Sequence, residues 1–269
     1  MDAVQPLVDL AREAALLRAQ PGLSPLRAQE ALSFGRQRVN PKSETWLLLQ
    51  SGPGAADLNM ALDEALLEFA SLSGKPVLRF YAWTERAASF GYSQKHGDVA
   101  LLTLLRPLVR RPTGGGLVPH DMDWTYSLIF PPGHWWYASR AKESYQRVHE
   151  WIRGAFARLN LTTELAPNRH KEFAGQCFVG AEQFDVLWRG AKIAGAAQRR
   201  NRQGLLIEGS VQSPSEALAR AAWQRAMCEV ACENWRVEWS SFEPNPVLNQ
   251  RAEELARGKY SREEYNQRR

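Results

Sequence analysis

The chain has 269 residues, 44% of them hydrophobic, with 34 Lys and Arg against 29 Asp and Glu for a formal net charge of +5. That length buries one large core or two small ones, and no apolar run reaches the ~18 residues that a membrane span needs. The modest positive charge suits an acidic protein partner as well as it suits nucleic acid. Apart from Arg110-Arg111, Arg199-Arg200-Asn201-Arg202 and Arg268-Arg269 the basic residues are scattered. No aromatic-interleaved basic stripe is present, so neither nucleic acid nor membrane is expected as a partner.

The opening MDAVQPLVDLAREAALL lacks the basic-then-apolar order of a signal peptide, and Asp2, Asp9 and Glu13 are out of place in a transit peptide. Three cysteines fit a reducing compartment. The expected localisation is cytoplasmic. Residues 1–43 read as a helical extension: Leu7, Leu10, Ala14 and Leu17 recur at helical spacing before Pro21-Gly22, and a second short helix is expected over residues 25–35. Residues 44–269 read as the catalytic domain. Its first strand is expected at Trp46–Gln50. A helix starts near Asp57 with Leu58, Leu62, Leu66 and Phe69 on its inner face. Strands are expected over residues 76–83, 89–92 and 124–130. A long helix over 139–159 turns Tyr145, Val148, Ile152, Phe156 and Leu159 inward. Further on, Phe184–Trp188 alternates, Arg189-Gly190 supplies turn chemistry, and Leu205–Val211 follows the polar turn at 201–204. A helix over roughly 214–233 and a charged C-terminal helix complete the chain. Cys228 and Cys232 share a helical face; without a second ligand pair they read as buried small hydrophobes, and no metal is expected. Clustered hairpins followed by separate helices indicate an α+β domain with a mixed, largely antiparallel sheet flanked by helices.

Two stretches carry chemistry. Cys177 stands fifteen residues before Lys192, inside the expected hairpin. A cysteine and a lysine held together form a nucleophile and a proton handler, which points to covalent acyl transfer. The second stretch is RRPTGGGLVPHD, Arg110–Asp121. Three consecutive glycines let the backbone approach a ligand and aim N–H groups at it, and the paired arginines suit a phosphate or carboxylate. The same residues are also compatible with a tight hairpin turn carrying solvated arginines. His120-Asp121 is read as support for the loop, since adjacent strand residues point to opposite faces.

Taken in order, SGPGAADLNMALDEALL, PVLRFYAW with ASFGYSQ, RRPTGGGLVPHD, FDVLWRGAKIAGAAQRR with GLLIEGSV, and GKYSREEYNQRR resemble the lipoate–protein ligase A and octanoyltransferase family. The resemblance implies a biotin/lipoate protein ligase-like catalytic fold. It implies that Lys192, in the Lys192–Gly195 segment, is the catalytic or acyl-binding lysine. Cys177-Phe178 matches the nucleophile step of the cysteine-dependent octanoyltransferase branch, so the resemblance implies transfer through a Cys177 thioester. The donor would be an acyl carrier protein or an acylated lipoyl domain, and the acceptor a lysine of a lipoyl domain. No cofactor is expected on this route. The alternatives are a ligase core using ATP and Mg, with its accessory domain elsewhere since the chain leaves no room for one, and a non-catalytic lipoyl or biotinyl binding module. Substrate-binding candidates are Arg111, Thr113, Gly114, Gly115, Gly116, His120, Phe90, Tyr92 and Gly195; Phe90, Tyr92 and Leu117 suit either the wall of an acyl slot or ordinary core. The family often has a histidine before the glycine of the last hairpin strand, where this chain reads Ile207-Glu208-Gly209.

Overall fold

The computed structural model describes residues 43–169, 180–213 and 217–268. The helices expected over residues 7–17 and 25–35 lie outside them, as does Cys177. In chain order the described elements begin with β1 (Glu44–Gly54), α1 (Ala56–Ser73), β2 (Val77–Trp83), β3 (Ala87–Phe90), α2 (His96–Ala100), β4 (Leu108–Arg110), β5 (Val118–His120) and β6 (Trp124–Phe130). They continue with α3 (Trp135–Ala138), α4 (Ala141–Arg158), β7 (Glu164–Leu165), β8 (Val186–Trp188), β9 (Ala191–Asn201) and β10 (Gly204–Val211). The last are α5 (Arg220–Trp235), β11 (Val237–Ser241), α6 (Pro246–Leu255), a π-helical turn (Ala256–Tyr260) and α7 (Glu263–Asn266). No helix among the described residues is long and apolar enough to cross a membrane.

Eight strands form one sheet in the order β11-β1-β2-β6-β10-β9-β8-β7, and β4-β3-β5 form a small second sheet. In the large sheet only the β11–β1 and β1–β2 pairings are parallel; the other pairings run antiparallel. The expected mixed, largely antiparallel α+β architecture is what the chain adopts. Strand β11 was not anticipated, although Val237 and Trp239 alternate with polar neighbours in the manner of an edge strand.

Two cores cover the two faces of the large sheet. On one, α4 and α5 pack with Trp46, Trp136, Trp151, Trp223 and Phe130, all fully buried. Trp46 stacks on Trp235 and meets Phe130 and Trp151 edge-on. Each large apolar side chain so buried contributes about 1.5–3 kcal/mol. Helix α4 presents Val148, Ile152 and Phe156 inward as expected, with Tyr145 and Leu159 partly buried. On the other face, α1 and α6 pack with Leu66, Leu67, Tyr81 and Leu206.

Helix α1 departs from its expected orientation. Leu58 is 42% exposed, and the buried stripe runs through Asn59, Met60, Asp63, Leu66, Leu67 and Ala70. The helix is rotated because Asp63 and Asn59 bind a buried arginine, Arg79 of β2: its Nη1 donates to Asp63 Oδ1 at 2.7 Å and its Nη2 to Asn59 Oδ1 at 2.8 Å. A polar cluster thus takes the place that hydrophobic spacing alone assigns to leucines. The expectation for the two described cysteines is also corrected. Cys228 is half-buried and Cys232 is exposed, since α5 buries Trp223, Ala226, Met227, Val230 and Ala231 and leaves residues 228 and 232 about a quarter turn away. That helix begins at Arg220, later than expected.

Candidate acyl-transfer site

The hairpin β8–β9 is built by its turn. Arg189 and Gly190 both have positive φ, 51° and 79°, and Trp188 pairs with Ala191. Two central residues with φ > 0 match the right-handed twist of the strands they join. Phe184, read as strand, has φ 76° and lies before β8. Counting from the turn, Leu187 pairs with Lys192.

The Lys192 side chain does not extend into solvent. It folds back along its own strand, and a Cβ placed on Gly195 would lie 2.7 Å from Lys192 Cε and 2.8 Å from Nζ. Only glycine leaves that space. The ammonium meets Asp185 Oδ2 at 2.8 Å, with the lysine side chain 6% exposed and the aspartate fully buried. Asp185 is itself fixed: its Oδ2 accepts from the Glu182 N–H at 2.7 Å, and its Oδ1 from the Tyr145 hydroxyl of α4 at 2.5 Å. Beneath it His149 donates from Nδ1 to the Tyr145 carbonyl at 2.8 Å. Burial pushes the His149 imidazole down to about 4, against the pull of Asp185, so it remains neutral at physiological pH.

Lys192 and Gly195 line a cavity with about 450 Å³ of empty space, part of it open to solvent. Its walls include Met60, Tyr81, Trp83, Val118, Ala196 and Ala197, interrupted by Ser89, Arg111, His120, Thr125, Glu208 and Ser210. His120 stacks on Trp83 with centroids 3.8 Å apart. Its Nε2 lies 2.7 Å from Ser89 Oγ and its Nδ1 2.9 Å from Asp123 Oδ2. Its partner is therefore Asp123 rather than its neighbour Asp121, which pairs with Arg86 at the surface. Burial raises the Asp123 carboxyl, but His120 and the hydroxyls of Ser210 and Thr125 together hold it below the usual range.

The glycine-rich loop is held by one buried arginine, and its neighbour is buried too, which rules out the reading with solvated side chains. Arg110 is fully buried and Arg111 is 3% exposed. Arg111 donates to the carbonyls of Gly114 at 2.5 Å, Gly116 at 2.8 Å and Ser89 at 3.2 Å. In a trans peptide the next N–H points opposite to the carbonyl, so the Gly115 and Leu117 amides face away from this guanidinium. Gly91 is needed for the close approach, because a Cβ there would lie 2.0 Å from the Gly115 carbonyl oxygen. Arg110 instead ties the loop after β3 to the C-terminal helix, donating to the carbonyls of Tyr92, Gln94 and Asn266.

The structure therefore brings Lys192, Gly195, Arg111 and His120 to one cavity. Thr113 reaches it at one remove, its hydroxyl donating to Glu208 Oε2. Phe90 and Leu117 sit in the small core of the second sheet with Ala88, Val99 and Leu108. Tyr92 is at the surface under the Arg268 guanidinium. Asp185, Tyr145 and Asp63 were missed in the sequence. Asp185 had a signal, because register counted back from Arg189-Gly190 brings it to the strand segment facing Lys192. Tyr145 and Asp63 had none, since their contacts join elements far apart in the chain.

A lipoyl protein ligase A/B catalytic domain model matches residues 55–231. Relatives named octanoyltransferase LipM from Staphylococcus epidermidis and Bacillus subtilis are each 34% identical, over 182 and 183 residues, covering 63% of this chain and 66% of theirs. The chain thus spans just under two thirds of the length of these curated relatives. Among solved structures, lipoate-protein ligase A bound with ATP has a TM-score of 0.69 at 21% identity, covering 83% of this chain and 98% of that one. A bi-partite lipoate protein ligase from Thermoplasma acidophilum, solved in a study with its E2 lipoyl domain, has a TM-score of 0.66 at 21% identity, covering 84% and 97%. These structures share the fold.

Proposed function

Because the chain belongs to the lipoyl protein ligase A/B catalytic domain family, we propose that it is an acyltransferase that moves an octanoyl or lipoyl group from a protein-bound thioester to a lysine of a lipoyl domain. The observation that carries this reading is the Lys192–Asp185 pair, folded over Gly195 in the wall of the cavity. The names of the curated relatives support octanoyl as the group carried.

In this reading Cys177, three positions before the described chain resumes at Gly180, is the nucleophile. A free thiol has a pKa of ~8.5 and is only about 3% thiolate at neutral pH; a nearby ammonium favours the thiolate. The Cys177 thiolate attacks the donor thioester carbon. A new C–S bond forms, the donor C–S bond breaks, and the departing thiolate takes a proton from Lys192. The acceptor lysine amine then attacks the Cys177 thioester, forming the amide as Cys177 leaves, and neutral Lys192 collects the amine proton. Asp185 and Gly195 hold the amine in one place through both steps. The apolar part of the cavity, Met60, Tyr81, Trp83 and Val118, takes the acyl chain, with Arg111 and His120 holding its walls.

The donor is an acyl carrier protein or an acylated lipoyl domain, and because its thioester is already activated the route consumes neither ATP nor metal. The test supplies octanoyl-carrier in one reaction and octanoate with ATP and magnesium in another, each with a lipoyl domain, and follows acceptor mass and pyrophosphate. Acceptor octanoylation from the thioester without pyrophosphate is expected. Modification that occurs only with ATP and releases pyrophosphate would replace this reading with the ligase one.

A further inference from the structure

A carboxyl group in the cavity wall and another behind it lie together. Asp63 of α1 is fully buried and Glu208 of β10 is 6% exposed. Asp63 Oδ1 accepts from Arg79 at 2.7 Å and from the Ser127 hydroxyl at 2.6 Å; its Oδ2 accepts from the Tyr81 hydroxyl at 3.2 Å. Glu208 Oε2 accepts from the Thr113 hydroxyl, 95 residues away in sequence. Glu208 Oε1 is buried and has no donor among the described residues. Its cross-strand neighbours are Ser127, whose hydroxyl is given to Asp63, and Ala197. A buried carboxylate oxygen without a donor, next to a second carboxylate, is costly. A proton on Glu208 itself removes both costs, since like charges at one site cannot both ionise freely.

We propose that Glu208 is a positioning residue for acyl transfer: as a neutral carboxylic acid it donates from Oε1 to Asp63 and accepts at Oε2 from Thr113, and this link fixes the glycine-rich loop beside the cavity that Lys192 enters. Burial first, and the Asp63 charge second, push the Glu208 carboxyl up to about 8, while Thr113 and Arg111 pull it down without cancelling them. The charged and titratable groups facing it are Asp63 from α1, with Arg79 of β2 on Asp63's far side, Tyr81 from β2, Arg111 after β4 and Tyr260 of the π-helical turn; Lys192 of β9 and His120 of β5 share the cavity. Strand β6 places only Ser127 opposite it. Arg111 holds one side of the loop and Glu208 the other. Loss of the Glu208 proton sets two carboxylates against each other and loosens the Thr113 side.

The rate consequence rests on the acyl-transfer reading; the protonation and loop consequences do not, so three readouts are taken on wild type, Glu208→Gln and Glu208→Ala. Infrared difference spectra across pH should show a buried protonated-carboxyl band that disappears with a midpoint near 8 and is missing in Glu208→Gln. Hydrogen exchange at Gly114, Gly115 and Gly116 should be faster in Glu208→Ala and protected in Glu208→Gln, whose amide can donate to Asp63 and accept from Thr113. The transfer rate should fall about tenfold or more in Glu208→Ala, largely recover in Glu208→Gln, and lose its alkaline decline there. A Glu208 carboxyl that titrates in the ordinary acid range, or a folded Glu208→Gln protein with its loop as exchangeable as in Glu208→Ala, overturns the proposal. Band and exchange results as expected in a protein that transfers no acyl group support the link and count against the acyl-transfer reading instead.

Discussion

Lys192 Nζ lies 2.8 Å from Asp185 Oδ2, and the lysine side chain fills the space that any side chain on Gly195 would claim. Position and charge of the amine are thus set by two separate residues, one supplying the counter-ion and the other supplying room. The two contributions come apart under mutation.

Gly195→Ala should displace the amine and crowd Asp185 Oδ1, 3.3 Å from the new methyl, without removing either charged group. The added methyl meets Lys192 Cε and Nζ at 2.7 and 2.8 Å, and a misplacement of about 1 Å costs roughly 10²-fold in rate. Steady-state transfer kinetics with a carrier thioester, alongside circular dichroism for fold, check this. Wild-type kinetics in a folded Gly195→Ala protein would show that the folded-back lysine is not the working conformation.

Lys192→Ala should cost roughly 10²–10⁴ in rate, the usual effect of losing a positioned acid or base. Lys192→Arg should recover little of it, because guanidinium does not release a proton near neutral pH and its planar head differs in shape. Full recovery with arginine would assign the residue a charge role without proton transfer.

Asp185→Ala should destabilise the fold as well as slow transfer. It removes one partner of a buried pair and an acceptor of the Tyr145 hydroxyl and of the Glu182 N–H. Breaking such a pair costs about 3–5 kcal/mol. Chemical denaturation measures it, and a loss indistinguishable from zero would mean that the buried pair does not hold the fold.

Stability should fall on both sides of a middle pH. His149 has its imidazole pushed down from 6.5 to about 4 by burial. Below the unfolded value the unfolded chain takes up a proton that the native protein refuses, so stability is lost as pH falls from 6.5 toward 4. Glu208 acts with the opposite sign. Its carboxyl is raised from 4.5 to about 8, so the native state keeps a proton that the unfolded chain releases. Its contribution is complete at acid pH, declines as pH rises through that window and is gone above it. Denaturation midpoints across pH should show the alkaline slope flatten in Glu208→Gln and the acid slope flatten in His149→Gln.

Local patterning made the β8–β9 hairpin legible, since Arg189-Gly190 fixes the turn and the turn fixes the register that brings Leu187 opposite Lys192. Helix α4 was legible for the same kind of reason: its inner face is apolar at regular spacing. Helix α1 was misread by about one position around its axis, because what it buries is Asn59 and Asp63 on Arg79, a polar contact between a helix and a strand that hydrophobic spacing does not encode. The Thr113–Glu208 link escaped for the same reason. Thr113 stood out as a loop residue and Glu208 as a departure from the family's histidine, but only the fold places the loop hydroxyl against the strand carboxyl. Arg110 and Arg111 were read as a pair suited to a phosphate or carboxylate; sequence did not encode that both are given to backbone carbonyls, one to the glycine-rich loop and the other to Tyr92, Gln94 and Asn266.

In the proposed route the acyl group rests on Cys177 between donor and acceptor, and intact mass spectrometry after mixing with octanoyl-carrier, with no acceptor present, detects that intermediate. One octanoyl adduct per chain is expected, removed by hydroxylamine and absent in Cys177→Ala, with the adduct forming slowly in Lys192→Ala. An adduct of the same yield on a folded Cys177→Ala protein, or acceptor modification by that variant at the wild-type rate, would contradict it.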